Sequence, residues 1–376
     1  MKTIKLPFNV RKAVLACGAD MKGAFALAKG RNAYLFEGFG DLGDPANMSK
    51  YERSVALYEK KLGIIPRIIA CDHHPGYHST RFAEMHGLRL LIPNLCDVQH
   101  HEAHIAAAIA DNGIKGDVIG VAFDGTGLGW DGCIWGGEFF TGNIRRLKRA
   151  AHLEYIPMPG GEMAVKEPWR MALAYLYRAY GSSLFKLNIP MAKKLNKKHR
   201  LIMKKMLRGG INSPLTSSAG RLFDAASSIV LSREKTSFEA ELPVIMEKIA
   251  SGDRDEHYRF DICTERGMRI IEAAGIMRGM IRDIESGIDK GVISAKFHNT
   301  VAHIITAVAL LIRQRYGVNR VVLSGGVFQN HYLTGRSVSL LRKSDFSVYT
   351  NSGINTNDYG IPIGQVAIAN ARGVCA

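Results

Sequence analysis

Val118-Ile119-Gly120-Val121-Ala122-Phe123-Asp124-Gly125-Thr126-Gly127 is an apolar run that passes directly into an Asp-Gly turn. Bounded on both sides by turn signals, it predicts a strand that ends where its glycines let the backbone approach a ligand. Residues 132–140 predict a second strand behind the turn Trp130-Asp131-Gly132, and the run into Tyr155 a third. The same order occurs upstream. Residues 14–19, 25–29 and 32–36 read as strands, with Gly30-Arg31 as a hairpin turn between the last two. A helix over 48–62, a strand at 67–71, a short helix at 80–86, a strand at 88–92 and a helix starting at His100 follow.

The upstream order, βββαβαβα, is that of a ribonuclease-H-like lobe, and at Asp117 it starts again. The expected fold is therefore α/β: two duplicated lobes, 1–115 and 116–376, with a cleft between them. Residues from about 163 to 290 read as a mostly helical insertion in the second lobe. That lobe resumes with a helix over 297–315, a strand at 320–324, a helix after Phe328, a strand at 346–349 and a last helix from about Tyr359.

With 376 residues and 47% apolar content, the chain has ample length for two packed lobes. No run approaches eighteen uninterrupted apolar residues and the first residues lack an export signal, so a cytoplasmic protein without a membrane role is expected. Cys17, Cys71, Cys96, Cys133, Cys263 and Cys375 form no C-x-x-C pair, which argues for reduced thiols over a zinc ribbon or a disulfide framework. The net charge of +16 is concentrated in two clusters, Arg145 to Arg149 and Lys193 to Arg208. Neither interleaves stacking aromatics, so a solvated or protein-docking face is the first reading and RNA the second.

Val98-Gln99-His100-His101-Glu102-Ala103-His104 carries the chemistry. On a helix, His100 and His104 share one face, where two imidazoles can hold one divalent metal; a self-capping helix start is the bland alternative. Asp124 with Gly125 to Gly127 suits a phosphate and a cation, or an ordinary turn. Ser324-Gly325-Gly326, leading through Asn330 into a helix, suits a nucleotide at a helix start. Asp358 is an N-cap or a metal ligand. Lys22 joins two strands where it can meet a phosphate or a carbonyl oxygen, or a surface salt-bridge partner. His73, His74 and His78, in the loop after a strand end, are assigned a substrate-side or structural role.

These segments together resemble one family, the C-terminal transferase domain of the hydrogenase-maturation carbamoyltransferases (HypF). Gly18 to Lys22, Cys71 to Pro75, Gln99 to His104, Val118 to Phe140, Pro159 to Gly161, Glu167 to Ala172, Asn212 to Asp224, Phe297 to Thr300, Leu323 to Asn330 and Asn357-Asp358 carry the resemblance. The domain type is similar to tRNA threonylcarbamoyl transferases and aminoglycoside carbamoyltransferases on the actin/Hsp70-like duplicated fold. The resemblance implies a metal, iron or zinc, held by His100, His104, Asp124 and Asp358. It implies an adenine nucleotide held by Gly125, Thr126, Gly127, Gly160, Gly161, Asp224, Gly325, Gly326 and Asn330, with Mg as a further candidate cation. Lys22, His100 and His104 would be the catalytic side chains. The implied reaction passes a carbamoyl group from carbamoyl-adenylate to an acceptor, the C-terminal cysteine of a HypE-like maturation partner.

Signatures of the family's acylphosphatase-like, zinc-finger and adenylate-forming domains are absent from this sequence, so an adenylate-forming synthase acting in trans is the expected partner. Ser237 to Glu241 departs from the family's Tyr-Glu-Gly-Gln-Ala type of run, which bears on the acceptor more than on the chemistry. tRNA threonylcarbamoyl transfer, with tRNA as partner, is the rival reading, and a nucleotide-binding scaffold without turnover is the third.

Overall fold

The computed structural model describes residues 1–92, 95–189, 197–251 and 255–373. Strand β1 (Lys2–Ala16) pairs antiparallel with β2 (Phe25–Phe36), which is followed by helix α1 (Pro45–Leu62). Then come β3 (Ile68–Asp72), α2 (His78–Arg89), β4 (Cys96–Val98) and α3 (His100–Asp111). The sheet order is β2-β1-β3-β4, with β3 and β4 parallel to β1.

Two expectations fail here. The two strands expected at 25–29 and 32–36 are one. Gly30, at φ 61°, pairs opposite Val10 with a register shift on either side, so it makes an irregularity inside a long strand instead of a hairpin turn. The strand expected at 88–92 is the end of α2 and a turn, with Leu88 and Leu91 exposed to solvent; the sheet strand is Cys96–Val98. Apolar residues at a solvated helix end imitated a strand.

The second sheet holds the antiparallel meander β5 (Val118–Leu128), β6 (Ile134–Asn143) and β7 (Arg146–Leu153), a short β8 (Ile156–Pro157), and further strands from downstream. The insertion comprises α4 (Met163–Lys166), α5 (Trp169–Tyr180), α6 (Lys197–Gly209), β9 (Leu215–Thr216), α7 (Ala219–Leu231) and α8 (Glu241–Ile249). Apart from β9 it is helical up to its last part, where the hairpin β10 (Asp261–Glu265) and β11 (Met268–Glu272) adds to the sheet edge, β11 lying parallel to β7. After α9 (Ala274–Glu285) and α10 (Lys290–Tyr316), β12 (Arg320–Ser324) lies beside β5 and β13 (Ser347–Thr350) beside β12, both parallel. Between them runs α11 (His331–Lys343), and α12 (Ile361–Arg372) ends the described chain. The order β7-β6-β5-β12-β13 is the ribonuclease-H-like arrangement, and the first lobe repeats it without the third meander strand.

Helix α3 holds the two halves together. Ala103, Ala106, Ala107 and Ala110 pack into the core of the first sheet, while Ile105, Ala108 and Ile109 pack against Val118, Ala122 and Val322 of the second. A helix buried on every side must be narrow as well as apolar, which is what its alanines supply. Helix α12 closes the core from the other side, Ile361, Ile363 and Val366 lying among first-lobe residues such as Val14 and Ala26. A Cβ on Gly364 would fall 1.9 Å from the carbonyl oxygen of Ala103, so the two helices touch through their backbones.

Helix α10 alone among the described helices is long and apolar enough to cross a membrane, but 72% of its apolar window is buried inside the protein, so it is a core helix. Cys17, Cys71, Cys133 and Cys263 are free thiols, as expected of reduced cysteines. Cys375 and the Lys193-Lys194 part of the basic cluster lie outside the described residues.

Gly364→Ala is expected to push α12 off α3 and to lower stability by about 1–3 kcal/mol, the cost of overpacking a close contact. Urea denaturation of wild type and variant checks this; an unchanged midpoint would show that the contact yields at no cost.

Candidate metal centre and nucleotide cleft

Gln99 starts the site by capping α3. Its side-chain oxygen accepts from the N–H groups of His101 (2.7 Å) and Glu102 (3.0 Å), fixing the first turn that carries His100. One turn later His104 presents its ring on the same face, the two ring centroids 4.9 Å apart. Asp72, at the end of β3, lies 2.7 Å from His100 Nδ1 and also accepts from His74 N–H. That contact places the Nδ1 proton of His100 toward the carboxylate and leaves the Nε2 lone pair facing away from it.

Asp124 and Asp358 meet those rings from the second half of the chain. The β5–β6 register breaks between Phe123 and Gly127, freeing Asp124 from the ladder. Its Oδ1 accepts from Gly326 N–H at 3.0 Å, while its Oδ2 lies 3.3 Å from His100 Nε2 and 3.5 Å from His104 Nε2. Asp358, in the turn before α12, sits 3.8 and 3.7 Å from the same nitrogens. One donor atom from each of the four residues falls within 4.8 Å of the others.

The electrostatics follow from this crowding. Burial disfavours the His100 imidazolium, but the hydrogen-bonded Asp72 carboxylate, with the carboxylates of Asp124 and Asp358 close by, outweighs it and holds its pKa well above the usual histidine value. Burial also works against the Asp124 carboxylate, yet the two histidines hold it well below the usual range. Burial, and then the charge of Asp124, pushes Asp358 up. His100 Nε2 and His104 Nε2 are buried without any hydrogen-bond partner, and two carboxylate oxygens face them. Two imidazoles and two carboxylates are a donor set suited to iron or zinc, so the residues present fit the metal.

A cavity of about 420 Å³ adjoins this cluster and shares Asp124 and Asp358 with it. Lys22, Gly125, Thr126, Asp224, Gly326 and Asn330, all expected at the site, line it. Lys22 Nζ reaches 3.8 Å from Glu239 of the insertion, across the cleft. Arg221 Nε stands 2.8 Å from Asp224 Oδ2, out of hydrogen-bonding alignment, and burial pushes the Asp224 carboxyl up to about 6.

Gly127 and Gly325 lie behind the lining. A Cβ on the first would meet the His101 ring at 2.6 Å, and on the second the Phe123 carbonyl at 2.2 Å, so both are close-approach glycines. Gly160 and Gly161 do not line the cleft; they form the turn before α4, with Gly160 N–H donating to Asn212 O at 2.7 Å. His73, His74 and His78 stand outside the four-residue cluster. The first contacts Asp97 at 2.8 Å, the second stacks on Tyr77 and the third lies 3.0 Å from Asp20.

Sequence reading missed Asp72 as the partner of His100, although its place at a strand end beside the loop was a usable signal. Arg221 and Glu239 line the cleft from segments that the sequence singled out without giving these side chains a role, and Glu247 lines it with no motif to announce it.

Comparison with known proteins matches both halves of the chain. A family model described as the HypF Kae1-like domain covers residues 9–111, and one described as the second subdomain of a Kae1-like carbamoyltransferase domain covers 120–365. The class is thus a two-lobed Kae1-like transferase, and the chain belongs to the HypF carbamoyltransferase family.

A HypF homolog of Cupriavidus necator is 32% identical over 95% of this chain and 91% of its own length. Carbamoyltransferase HypF of Synechocystis is 31% identical over 96% of this chain but 48% of its own, so the chain spans about half of such longer relatives. Among solved structures, full-length HypF in a phosphate- and nucleotide-bound form superposes with TM-score 0.91 at 36% identity, covering 98% of this chain and 57% of that one. HypF of T. kodakarensis gives 0.87 at 27% identity, over 98% of this chain and 48% of that one.

Two outcomes are expected. Metal-loaded protein, analysed by elemental mass spectrometry after desalting, should hold one iron or zinc per chain, lost in His100→Ala; Asp72→Asn should keep the ligands yet weaken binding by about 10–100-fold. Equal metal content in all three proteins would refute the site. Ala240 adopts φ 60° at the start of α8, so Ala240→Gly should raise stability by about 1 kcal/mol in thermal unfolding.

Proposed function

We propose that this chain transfers a carbamoyl group from carbamoyl-adenylate to a thiol acceptor of hydrogenase maturation, the C-terminal cysteine of a HypE-like partner. The thiolate forms the C–S bond as the carbonyl C–O bond to phosphate breaks, and AMP leaves with the electron pair. One observation carries the reading: the four-residue cluster and the cavity share Asp124 and Asp358, which suits a ligand whose phosphate and carbonyl lie side by side. The phosphate- and nucleotide-bound state of the similar full-length structure supports the choice of ligand.

In this reading His100, His104, Asp124 and Asp358 hold iron or zinc, which when bound supplies Lewis acidity for a carbonyl oxygen. Asp72 keeps the His100 tautomer correct. Backbone N–H groups around Gly125 and Gly326 hold phosphate, and Lys22 neutralises charge at the phosphate or carbonyl oxygen. Glu239 keeps the Lys22 ammonium over the cavity. The adenylate comes from an adenylate-forming synthase, and the reaction takes place in the cytoplasm.

A second reading, tRNA threonylcarbamoyl transfer, has the +16 charge in its favour, with Arg200, Lys204, Lys205 and Arg208 on α6. Binding of tRNA that falls steeply with salt would support it.

The test supplies labelled carbamoyl phosphate, ATP, an adenylate-forming synthase and the thiol acceptor. Label should appear on the acceptor thiol together with AMP, and Asp358→Ala should reduce the rate by about 100-fold. Nucleotide binding without label transfer under these conditions would favour a scaffold without turnover.

A further inference from the structure

Phe297-His298-Asn299-Thr300 lies in the first half of α10, and none of its residues belongs to the four-residue cluster. His298 is nevertheless fully buried, and its hydrogen bonds can be assigned without ambiguity. Nδ1 is 2.8 Å from the carbonyl oxygen of Ser294, which can only accept, so that nitrogen carries the ring proton. Nε2 therefore accepts, and 2.9 Å away stands the side-chain amide nitrogen of Asn330. The oxygen of that amide accepts from Leu333 N–H at 2.8 Å, capping α11, which fixes the amide in the same sense. Phe223 and Tyr332 pack against the ring and hold its plane, with centroids 5.4 and 5.2 Å away.

Asn330 lines the nucleotide cleft. With one amide hydrogen on His298 and its oxygen on the helix, one N–H donor remains for a ligand. We propose that His298 is a positioning residue for nucleotide binding, a buried acceptor that orients Asn330 so that its second amide hydrogen meets an acceptor atom of the nucleotide. The proposal rests on the cleft reading above. Burial pushes the His298 pKa down to about 4, in keeping with a ring that stays neutral and accepting at neutral pH.

The test titrates metal-loaded full chain with AMP by calorimetry. His298→Leu should weaken AMP binding by about tenfold, the scale of one charge-free hydrogen bond lost with its geometry, while metal per chain stays the same. In an Asn330→Ala background the same substitution should cost less than about twofold, because the group it orients is gone. His298→Gln, which keeps an acceptor, should lose less than about threefold. Wild-type affinity in a folded His298→Leu, or its full effect persisting without the Asn330 amide, would overturn the proposal. Should His298→Leu fail to fold, a folded His298→Gln that loses tenfold would overturn it equally. A wild type that binds no AMP would remove the cleft reading and this proposal with it.

Discussion

The backbone contact between Gly364 and Ala103 is the constraint on which the rest of the molecule depends. Ala103 lies between the two histidines on α3, and Gly364 lies six residues after Asp358. Bringing α12 against α3 until no Cβ fits between them therefore delivers Asp358 to the histidine face. A second close approach works from the other sheet: a Cβ on Gly120 of β5 would fall 2.8 Å from the Ile105 side chain, so β5 presses on α3 and brings Asp124 with it. Four donor residues scattered over some 260 positions are set by one narrow helix squeezed from two sides. Such a site is positioned by rigid elements instead of loops, which favours a fixed coordination geometry.

That arrangement also explains what could be read in the sequence and what could not. The i, i+4 spacing of His100 and His104 is a local feature, so half of the four-residue cluster was legible from helical periodicity alone. Asp124 and Asp358 look like a turn residue and an N-cap when read locally, and only family resemblance joined them to the histidines. The strands β5 and β12 were legible because burial on both faces gave them unbroken apolar runs, and β6 because apolar residues such as Ile134, Trp135, Phe139 and Phe140 follow a turn signal. Gly30-Arg31 misled because a glycine at positive φ serves an irregularity within a strand as well as a hairpin turn. The hairpin β10–β11 was missed because Asp261–Glu265 is largely polar and sits at a sheet edge, where no alternation of buried residues marks it. Asp72 was seen as part of a loop whose histidines drew attention away from it.

Hydrogen bonding sorts the remaining histidines by task. His100 and His104, like His101 and His303, keep a buried Nε2 without a hydrogen-bond partner, and theirs face the carboxylates of Asp124 and Asp358. His298, equally buried, spends both nitrogens on protein groups, and so is a structural relay instead of a ligand. His73 and His78 are tied to carboxylates near the surface. Counting histidines in the sequence could not have made this division, because it rests on what each nitrogen faces after folding.

The charge of the cleft runs against that of the whole protein. The chain as a whole is strongly basic, yet the cavity is lined by the carboxylates of Asp124, Asp224, Glu239, Glu247 and Asp358 against the cations Lys22 and Arg221. An anionic nucleotide entering such a lining meets little net positive side-chain charge, since Lys22 faces Glu239 and Arg221 faces Asp224. In the proposed reading phosphate recognition falls on backbone N–H groups, which carry partial positive charge without a counter-ion, and on a cation that the histidine cluster would hold. Asp124 belongs to both systems, with one oxygen taking the Gly326 N–H and the other facing the imidazoles. In the proposed reading a metal and a nucleotide that share this carboxylate are not independent: a change at either oxygen alters the charge and orientation available to the other.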